Sequence, residues 1–173
     1  MKTEISSTNV SFDFLANSNE FISLILNNIT CCVLLLNKDM ELVAFNDSMK
    51  TIFSNKEDEH LLYKKCGNAI GCAYTVEEAT ECGTTSQCKY CELRTSAMYA
   101  YLNKKPIFKQ RLSRHFYKTN NIKELKHLLF SVRPFYFKNE YYIIVIVEDV
   151  SLLVKQSEII EHQKCMINTL CNS

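Results

Sequence analysis

Five of the nine cysteines in this 173-residue chain lie between positions 66 and 91, and four of them are separated by nine, five and two residues. The three glycines, Gly67, Gly71 and Gly83, lie in the same segment, whereas average usage would place about twelve along such a chain. Glycine lets the backbone adopt positive φ and approach a ligand closely. The sequence therefore combines thiols and backbone freedom in one segment, which indicates a ligand-binding loop.

The state of these thiols depends on the cellular compartment. Residues 1–9 lack the apolar core and the small-residue cleavage site of a secretory leader. The longest apolar runs, 31–36 and 141–147, are much shorter than the roughly 18 to 20 residues of a membrane span. We therefore expect a cytoplasmic protein that does not enter a membrane. Thiols stay reduced in the cytoplasm, so the clustered cysteines are expected to be metal or redox ligands.

Cys72, Cys82, Cys88 and Cys91 make a complete set of four thiolate ligands. Such a set binds either a tetrahedral zinc ion or an iron–sulfur cluster. Structural zinc sites commonly pair two short C-x(2–4)-C units, whereas here only Cys88 and Cys91 are so closely spaced. A larger cluster tolerates irregular spacing better, so the pattern favours iron and sulfide, with zinc as the alternative. Cys66 is left out of the predicted set and would be a ligand only if it replaced Cys72.

The residues around Cys88 and Cys91 favour the thiolate form. Both cysteines come just before a predicted helix, whose N-terminal partial positive charge lowers the pKa of a nearby thiol. Lys89 and Arg94 add formal positive charge. The backbone at Gly83 is free to turn an NH group towards a sulfur, which tunes a metal centre. We therefore expect both thiols to ionise readily.

The rest of the chain has the composition of one globular domain, with 47% hydrophobic and 23% charged residues. Hydrophobic periodicity predicts helices and strands on both sides of the cysteine segment. The predicted helices start near residues 19, 48, 92 and 151, and the predicted strands cover 31–36, 41–45, 107–118, 125–137 and 141–149. The last strand is almost wholly apolar, so we expect it to be central in its sheet.

Two stretches of the chain identify a fold family. Residues 37–53 have the pattern of a hairpin turn, a strand, a capping Asn and a short helix, and residues 149–151 have the pattern of a junction between a last strand and an exit helix. Both resemble PAS sensory domains, and the resemblance covers about residues 18–160. It implies an α+β fold with a five-stranded antiparallel sheet flanked by short helices. The implied parts are a flexible tail (1–17), a sensor domain (18–150) with a cysteine-rich insertion (66–91), and a signalling helix (151–173).

The insertion is similar to a particular PAS subtype. Its segments Gly67 to Cys72, Cys82 to Thr85 and Cys88 to Cys91 resemble the cysteine insertion of iron–sulfur PAS domains in regulators of anaerobic bacteria. This resemblance implies a non-enzymatic sensor of redox state, oxygen or iron–sulfur status in bacterial signal transduction. By position, the implied ligands of its 4Fe-4S cluster are Cys72, Cys82, Cys88 and Cys91. A zinc-stabilised PAS interaction domain and a small iron–sulfur electron-transfer protein stay open as alternatives.

The end of the chain suggests how such a sensor would signal. Apolar pairs recur at seven-residue intervals after Ser151, with charged residues between them. Two heptads are too few for a coiled coil on their own, but they suit a homodimer contact. Related modules are usually fused to an output domain, and this chain ends about 20 residues after Asp149. We therefore expect either a kinase or regulator acting in trans, or a fragment of a longer protein.

A basic segment raises the question of nucleic acid. Between Lys104 and Lys126 the chain has eight Lys or Arg residues against Glu124 alone, although its formal net charge is only +1. Interleaved aromatic residues are typical of platforms that stack single-stranded bases. A lysine-rich, solvated sheet face that discourages edge pairing explains the same pattern and is favoured. We therefore do not expect a nucleic-acid partner.

Overall fold

The computed structural model describes residues 19–53, 61–118 and 121–171. The predicted tail over residues 1–17 lies outside the described residues. The helices are α1 (Asn19–Asn28), α2 (Ser48–Phe53), α3 (Cys66–Ala69), α4 (Ala73–Glu77), α5 (Glu92–Asn103) and α6 (Ser151–Cys171). The strands are β1 (Cys32–Leu36), β2 (Leu42–Phe45), β3 (Ile107–Tyr117), β4 (Lys123–Phe137) and β5 (Glu140–Asp149). The predicted order of helices and strands is confirmed.

The five strands form one antiparallel sheet in the order β2-β1-β5-β4-β3. Strand β5 is central, as its continuous apolar sequence predicts. Alternate residues of β4 are buried, including Leu128, Phe130 and Val132. They face the core between the sheet and the helices, where they pack with Phe53 and Phe116. The α+β fold with a five-stranded antiparallel sheet is therefore confirmed.

The Asn46 side chain, just before α2, forms hydrogen bonds to the backbone of α1, of β1 and of the residue before β1. This role differs from the predicted helix cap. Its side-chain oxygen accepts a hydrogen bond from the Val33 NH at 2.8 Å. Its amide nitrogen donates to the carbonyls of Leu26 at 2.6 Å and Cys31 at 3.0 Å. The helix that follows, α2, forms as predicted, but the buried Asn46 side chain satisfies backbone groups of α1 and β1 that would otherwise lack partners.

The cysteine segment is built from short helices and turns. Two of its glycines have positive φ, 72° at Gly71 and 118° at Gly83, which confirms the expectation that backbone freedom is needed here. The segment is attached to the edge strand β3, because Cys72 and Phe116 form an isolated β-bridge and the Tyr117 NH donates to the Gly71 carbonyl at 2.8 Å. Movement of the segment would therefore act directly on the sheet.

Helix α6 leaves the sheet with its apolar side chains exposed. The exposed apolar residues are Leu152, Leu153, Ile159, Ile160, Met166 and Ile167. They are the pairs whose seven-residue spacing predicts a contact with a second chain. Among the described helices, none combines the length and apolarity needed to cross a bilayer.

Candidate functional site

A small cavity of about 30 Å³ lies between the cysteine segment, the start of α5 and the inner face of the sheet. All four predicted ligands line it: Cys72, Cys82, Cys88 and Cys91. Cys66, which the sequence analysis left out, lines it as well. The other lining residues are apolar, apart from Arg94 and Arg114. The structure therefore brings together five thiols, two cations and little else that is polar.

Each thiol enters the cavity from the end of a short element. Cys66 is the first residue of α3, Cys72 is the N-cap of α4, and Cys91 is the N-cap of α5. Cys88 opens a single 3₁₀ turn, and Cys82 lies in the turn before it. This explains the irregular spacing, because a separate turn positions each thiol and the cysteines do not share one helical face. Among the described residues, no three Cys, His, Asp or Glu side chains meet closely enough to hold a single ion.

Cys88 is the thiol most prepared for ionisation. Its sulfur accepts a hydrogen bond from the Gly83 NH at 3.0 Å and lies 2.9 Å from the Thr85 hydroxyl. Burial raises the pKa of Cys88, but the hydrogen bonds from Thr85 and Gly83 lower it by more, so the pKa lies below its ordinary value. The Gly83 NH therefore donates a hydrogen bond to a cysteine sulfur, as the sequence analysis expected. Hydrogen bonds to the sulfur, not the start of a helix, account for the lowered pKa.

The other thiols behave differently, and one of them contradicts the prediction. Burial raises the pKa of Cys82 to about 11, against an opposing hydrogen bond from the Gly67 backbone. Burial also raises the pKa of Cys91, although backbone hydrogen bonds from Arg94 and Leu93 act against it. Cys91 was expected to ionise as readily as Cys88, and that expectation is wrong. A cation that binds these thiols must therefore displace their protons.

Two arginines supply positive charge to the cavity. Arg114, on β3, has its guanidinium 5.1 Å from the Tyr74 ring centre. Burial lowers the pKa of Arg114, but the sulfurs of Cys91 and Cys72 raise it by more. Arg94, on α5, lies against Gly83, where a Cβ atom would come within 2.8 Å of its guanidinium. Both arginines are placed to offset negative charge on the thiols.

Cys82 packs so closely against Gly67 that no side chain fits at position 67. A Cβ atom at Gly67 would lie 2.7 Å from the Cys82 sulfur and 2.9 Å from its Cβ, distances that force one of the two residues to move. We expect Gly67→Ala to displace Cys82 and to lower the free energy of unfolding of the reduced, metal-free protein by about 1 to 3 kcal/mol. Urea titration measures this change.

A matched control for Gly67→Ala is Val76→Ala, in the same segment, where the side chain is 50% exposed. Its unfolding free energy is expected to stay within about 0.5 kcal/mol of the wild-type value. Equal unfolding free energies for Gly67→Ala and the wild type would contradict the close packing of Gly67 against Cys82.

Comparison with known proteins gives matches to solved structures. No protein-family profile and no curated protein matches the sequence. The crystal structure of a PAS domain from Colwellia psychrerythraea is similar with a TM-score of 0.52 and 8% identity, over 76% of this chain and 96% of that one. A PAS domain from a two-component sensor histidine kinase is similar with a TM-score of 0.50 and 10% identity, over 75% of this chain and 94% of that one. The structure of an RNA-binding light-oxygen-voltage receptor is similar with a TM-score of 0.56 and 10% sequence identity, over 100% of this chain and 42% of that one. The chain therefore has the fold of PAS domains.

Proposed function

We propose that this chain is a PAS-type sensor of redox state or oxygen in bacterial signal transduction, and that Cys72, Cys82, Cys88 and Cys91 bind a 4Fe-4S cluster. One observation carries the proposal: the four cysteines chosen by their spacing line a single buried cavity within a PAS fold. A bound iron–sulfur cluster would supply a one-electron redox centre whose potential depends on hydrogen bonds to the sulfurs and on burial.

The arrangement of the thiols favours a cluster over zinc. Zinc bound by four thiolates has zinc–sulfur distances of about 2.3 Å, so its ligands meet around one point. Zinc sites of this kind commonly pair two short C-x(2–4)-C units, whereas here a separate short turn carries each thiol and the gaps are nine, five and two residues. A cluster of several atoms accepts ligands at separate corners. The irregular spacing therefore supports iron and sulfide.

The surroundings suit a negatively charged centre that is shielded from water. Four thiolates around an iron–sulfur core leave a net negative charge, which Arg94 and Arg114 are positioned to offset. The hydrogen bonds from Gly83 and Thr85 to Cys88 would tune the potential of such a centre. Apolar side chains complete the wall, and a low dielectric strengthens each of these interactions.

Loading of the cavity would change its shape. A volume of about 30 Å³ has room for about two water molecules, which is less than a cluster occupies. Binding would therefore move the cysteine segment outwards and would displace the protons of Cys82 and Cys91, whose pKa values are raised. The empty and loaded states would then differ in both geometry and charge, as a sensor requires.

Helix α6 is the proposed output. Its first residues are hydrogen-bonded to β4, because the His127 NH donates to the Ser151 hydroxyl at 2.9 Å and the Val150 NH donates to the His127 carbonyl at 2.8 Å. The exposed apolar pairs of α6 support a homodimer contact and a kinase or regulator as the partner. A shift of the sheet would thus be passed to the partner-binding helix.

The decisive measurement is the iron, acid-labile sulfide and zinc content per chain of protein purified without oxygen. We expect about four iron and four sulfide. One zinc with negligible iron, in cells supplied with ample iron, would contradict the proposal and indicate a zinc-stabilised interaction domain. Slow loss of the cluster in oxygen, with a change in partner binding, would support sensing. Fast reversible reduction that leaves α6 unchanged would indicate electron transfer.

A further inference from the structure

The cavity holds one thiol more than a four-ligand site needs. Cys66 is 8% exposed, and it lines the same cavity as the four proposed ligands. Among the other described cysteines, Cys31 is partly exposed just before β1, Cys32 is fully buried in β1, and Cys165 is exposed on α6. None of these three lines the cavity. Of the described cysteines outside the proposed ligand set, Cys66 is therefore the one that lines the cavity.

Cys66 and Cys72 lie at the two ends of one tight turn. The Ile70 NH donates to the Cys66 carbonyl at 3.0 Å, and the Cys72 NH donates to the Gly67 carbonyl at 2.8 Å. These hydrogen bonds bring the chain back on itself after a single turn of helix. Both residues that this turn connects line the cavity.

The backbone beside Cys66 also packs directly against other ligands. A Cβ atom at Gly67 would lie 2.7 Å from the Cys82 sulfur and 3.6 Å from the Cys72 Cβ atom. The position of Cys66 is fixed from the opposite side as well, since its NH donates to the Met40 carbonyl at 3.0 Å. The backbone therefore fixes Cys66 on the wall of the cavity, and the residue that follows it packs against Cys82 and Cys72.

We infer that Cys66 is a reserve ligand, which binds the metal centre in place of Cys72 when Cys72 is missing or displaced. This inference rests on the proposed function. Where Cys72 is displaced, the exchange breaks one metal–thiolate bond and forms another, and the proton of the Cys66 thiol passes to the released Cys72 sulfur. Where Cys72 is absent, Cys66 binds as the thiolate and its proton is released to water. Neither case requires an oxidant or a reductant. The cavity would then keep four thiolate ligands through the exchange, which would make the centre tolerant of losing one particular thiol.

Metal and sulfide analysis of single and double variants tests the inference. We expect Cys66→Ser to match the wild type and Cys72→Ser to keep a metal content within about twofold of it. Cys66→Ser/Cys72→Ser is expected to lose at least about tenfold. A matched double variant, Cys66→Ser/Cys31→Ser, keeps Cys72 and is expected to load normally. Loss of the metal from folded Cys72→Ser alone would overturn the inference.

A second measurement does not depend on the folding of the double variant. Because Cys66 is buried in the metal-free structure as well, alkylation by iodoacetamide is carried out in a urea concentration that unfolds the metal-free Cys72→Ser variant. In the metal-loaded variant Cys66 is expected to stay protected under these conditions, and removal of the metal with a chelator should make it react. Mass spectrometry of the labelled protein reports this for each cysteine. Labelling of Cys66 in the loaded variant would overturn the inference while leaving the proposed function in place. A wild-type chain that binds no metal under the same conditions would overturn both.

Discussion

Cys88→Ser is expected to abolish metal binding and to leave the fold intact. The Cys88 sulfur receives hydrogen bonds that lower its pKa, whereas burial raises the pKa values of Cys82 and Cys91. It is therefore the ligand we expect to engage a metal first, because only the thiolate binds. A serine oxygen is a harder and shorter donor that soft metals bind weakly. We expect metal and sulfide content to fall at least about tenfold, measured on protein prepared without oxygen.

Cys165→Ser is the matched control for this variant. Cys165 is exposed on α6, away from the cavity, so the same chemical change there is expected to leave the metal content at the wild-type level. Circular dichroism of both variants establishes that the sheet and helices are retained. If folded Cys88→Ser kept the full metal and sulfide content of the wild type, Cys88 would not be a ligand and the proposed site would be wrong.

The sheet was predictable because its signals are local. The alternation of Leu128, Phe130 and Val132 with less buried neighbours follows from the two-residue period of a strand and requires no knowledge of distant residues. The central position of β5 follows in the same way from its continuous apolar sequence. By contrast, the role of Asn46 depends on three backbone groups that only the folded chain brings within hydrogen-bonding distance.

The candidate site was predictable only in part. The spacing of the four cysteines identified thiols that do line one cavity, but it gave no reason to include Cys66, because the tight turn after Cys66 that accompanies its place on the cavity wall has no strong sequence signal. Arg114 was missed for a related reason. It comes from β3, more than 20 residues after Cys91 in the sequence, and reaches the cavity because its strand bridges to the cysteine segment.

The prediction of a lowered pKa for Cys91 failed because the favourable effect of the helix start is smaller than the unfavourable effect of burial. The start of a helix stabilises a nearby negative charge by about 0.3 to 1 kcal/mol at an exposed position. Removing a charged group from water costs considerably more, and Cys91 is placed among apolar side chains of the cavity. Burial is a tertiary property, so the sequence correctly located the helix start but could not give the net direction of the pKa.

The route from the cavity to α6 passes through two neighbouring cations. Arg114, whose pKa the sulfurs of Cys91 and Cys72 raise, lies directly opposite Lys126 in the pairing of β3 and β4. The Lys126 amine forms an ion pair with Asp149 at 2.7 Å, and Asp149 accepts a hydrogen bond from the Ser151 NH at 3.0 Å at the start of α6. A change of charge on the thiols would therefore alter a row of charged groups that ends at α6, the proposed output helix.

Lys126→Met is expected to uncouple α6 from the cavity and to destabilise the domain. The Lys126 side chain is 9% exposed and that of Asp149 is 25% exposed, so the variant leaves a partly exposed carboxylate that keeps its Ser151 hydrogen bonds but loses its cation. We expect the free energy of unfolding at neutral pH to fall by about 1 to 2 kcal/mol. Amide hydrogen exchange in the first turns of α6 should differ between metal-loaded and metal-free wild type, and this difference should be lost in the variant.

The pH dependence provides an independent check on Lys126→Met. Burial raises the pKa of Asp149, but hydrogen bonds from Lys126 and Ser151 lower it by more, so it lies below 3.8. The stability that this ion pair contributes is therefore present above the ordinary carboxyl pKa and is lost as the pH falls through the folded-state value. The unfolding free energies of wild type and variant should accordingly converge in acid.

Two further variants keep the prediction for Lys126 open to contradiction. Lys50→Met removes one side of an exposed ion pair with Asp47 and is expected to cost less than about 1 kcal/mol. If Lys126→Met fails to fold, Asp149→Asn removes the charge and keeps an oxygen that can accept the Ser151 hydrogen bond. Either folded variant would contradict the proposed route if its α6 exchange still responded to metal as in the wild type, because the signal would then bypass the Lys126–Asp149 pair.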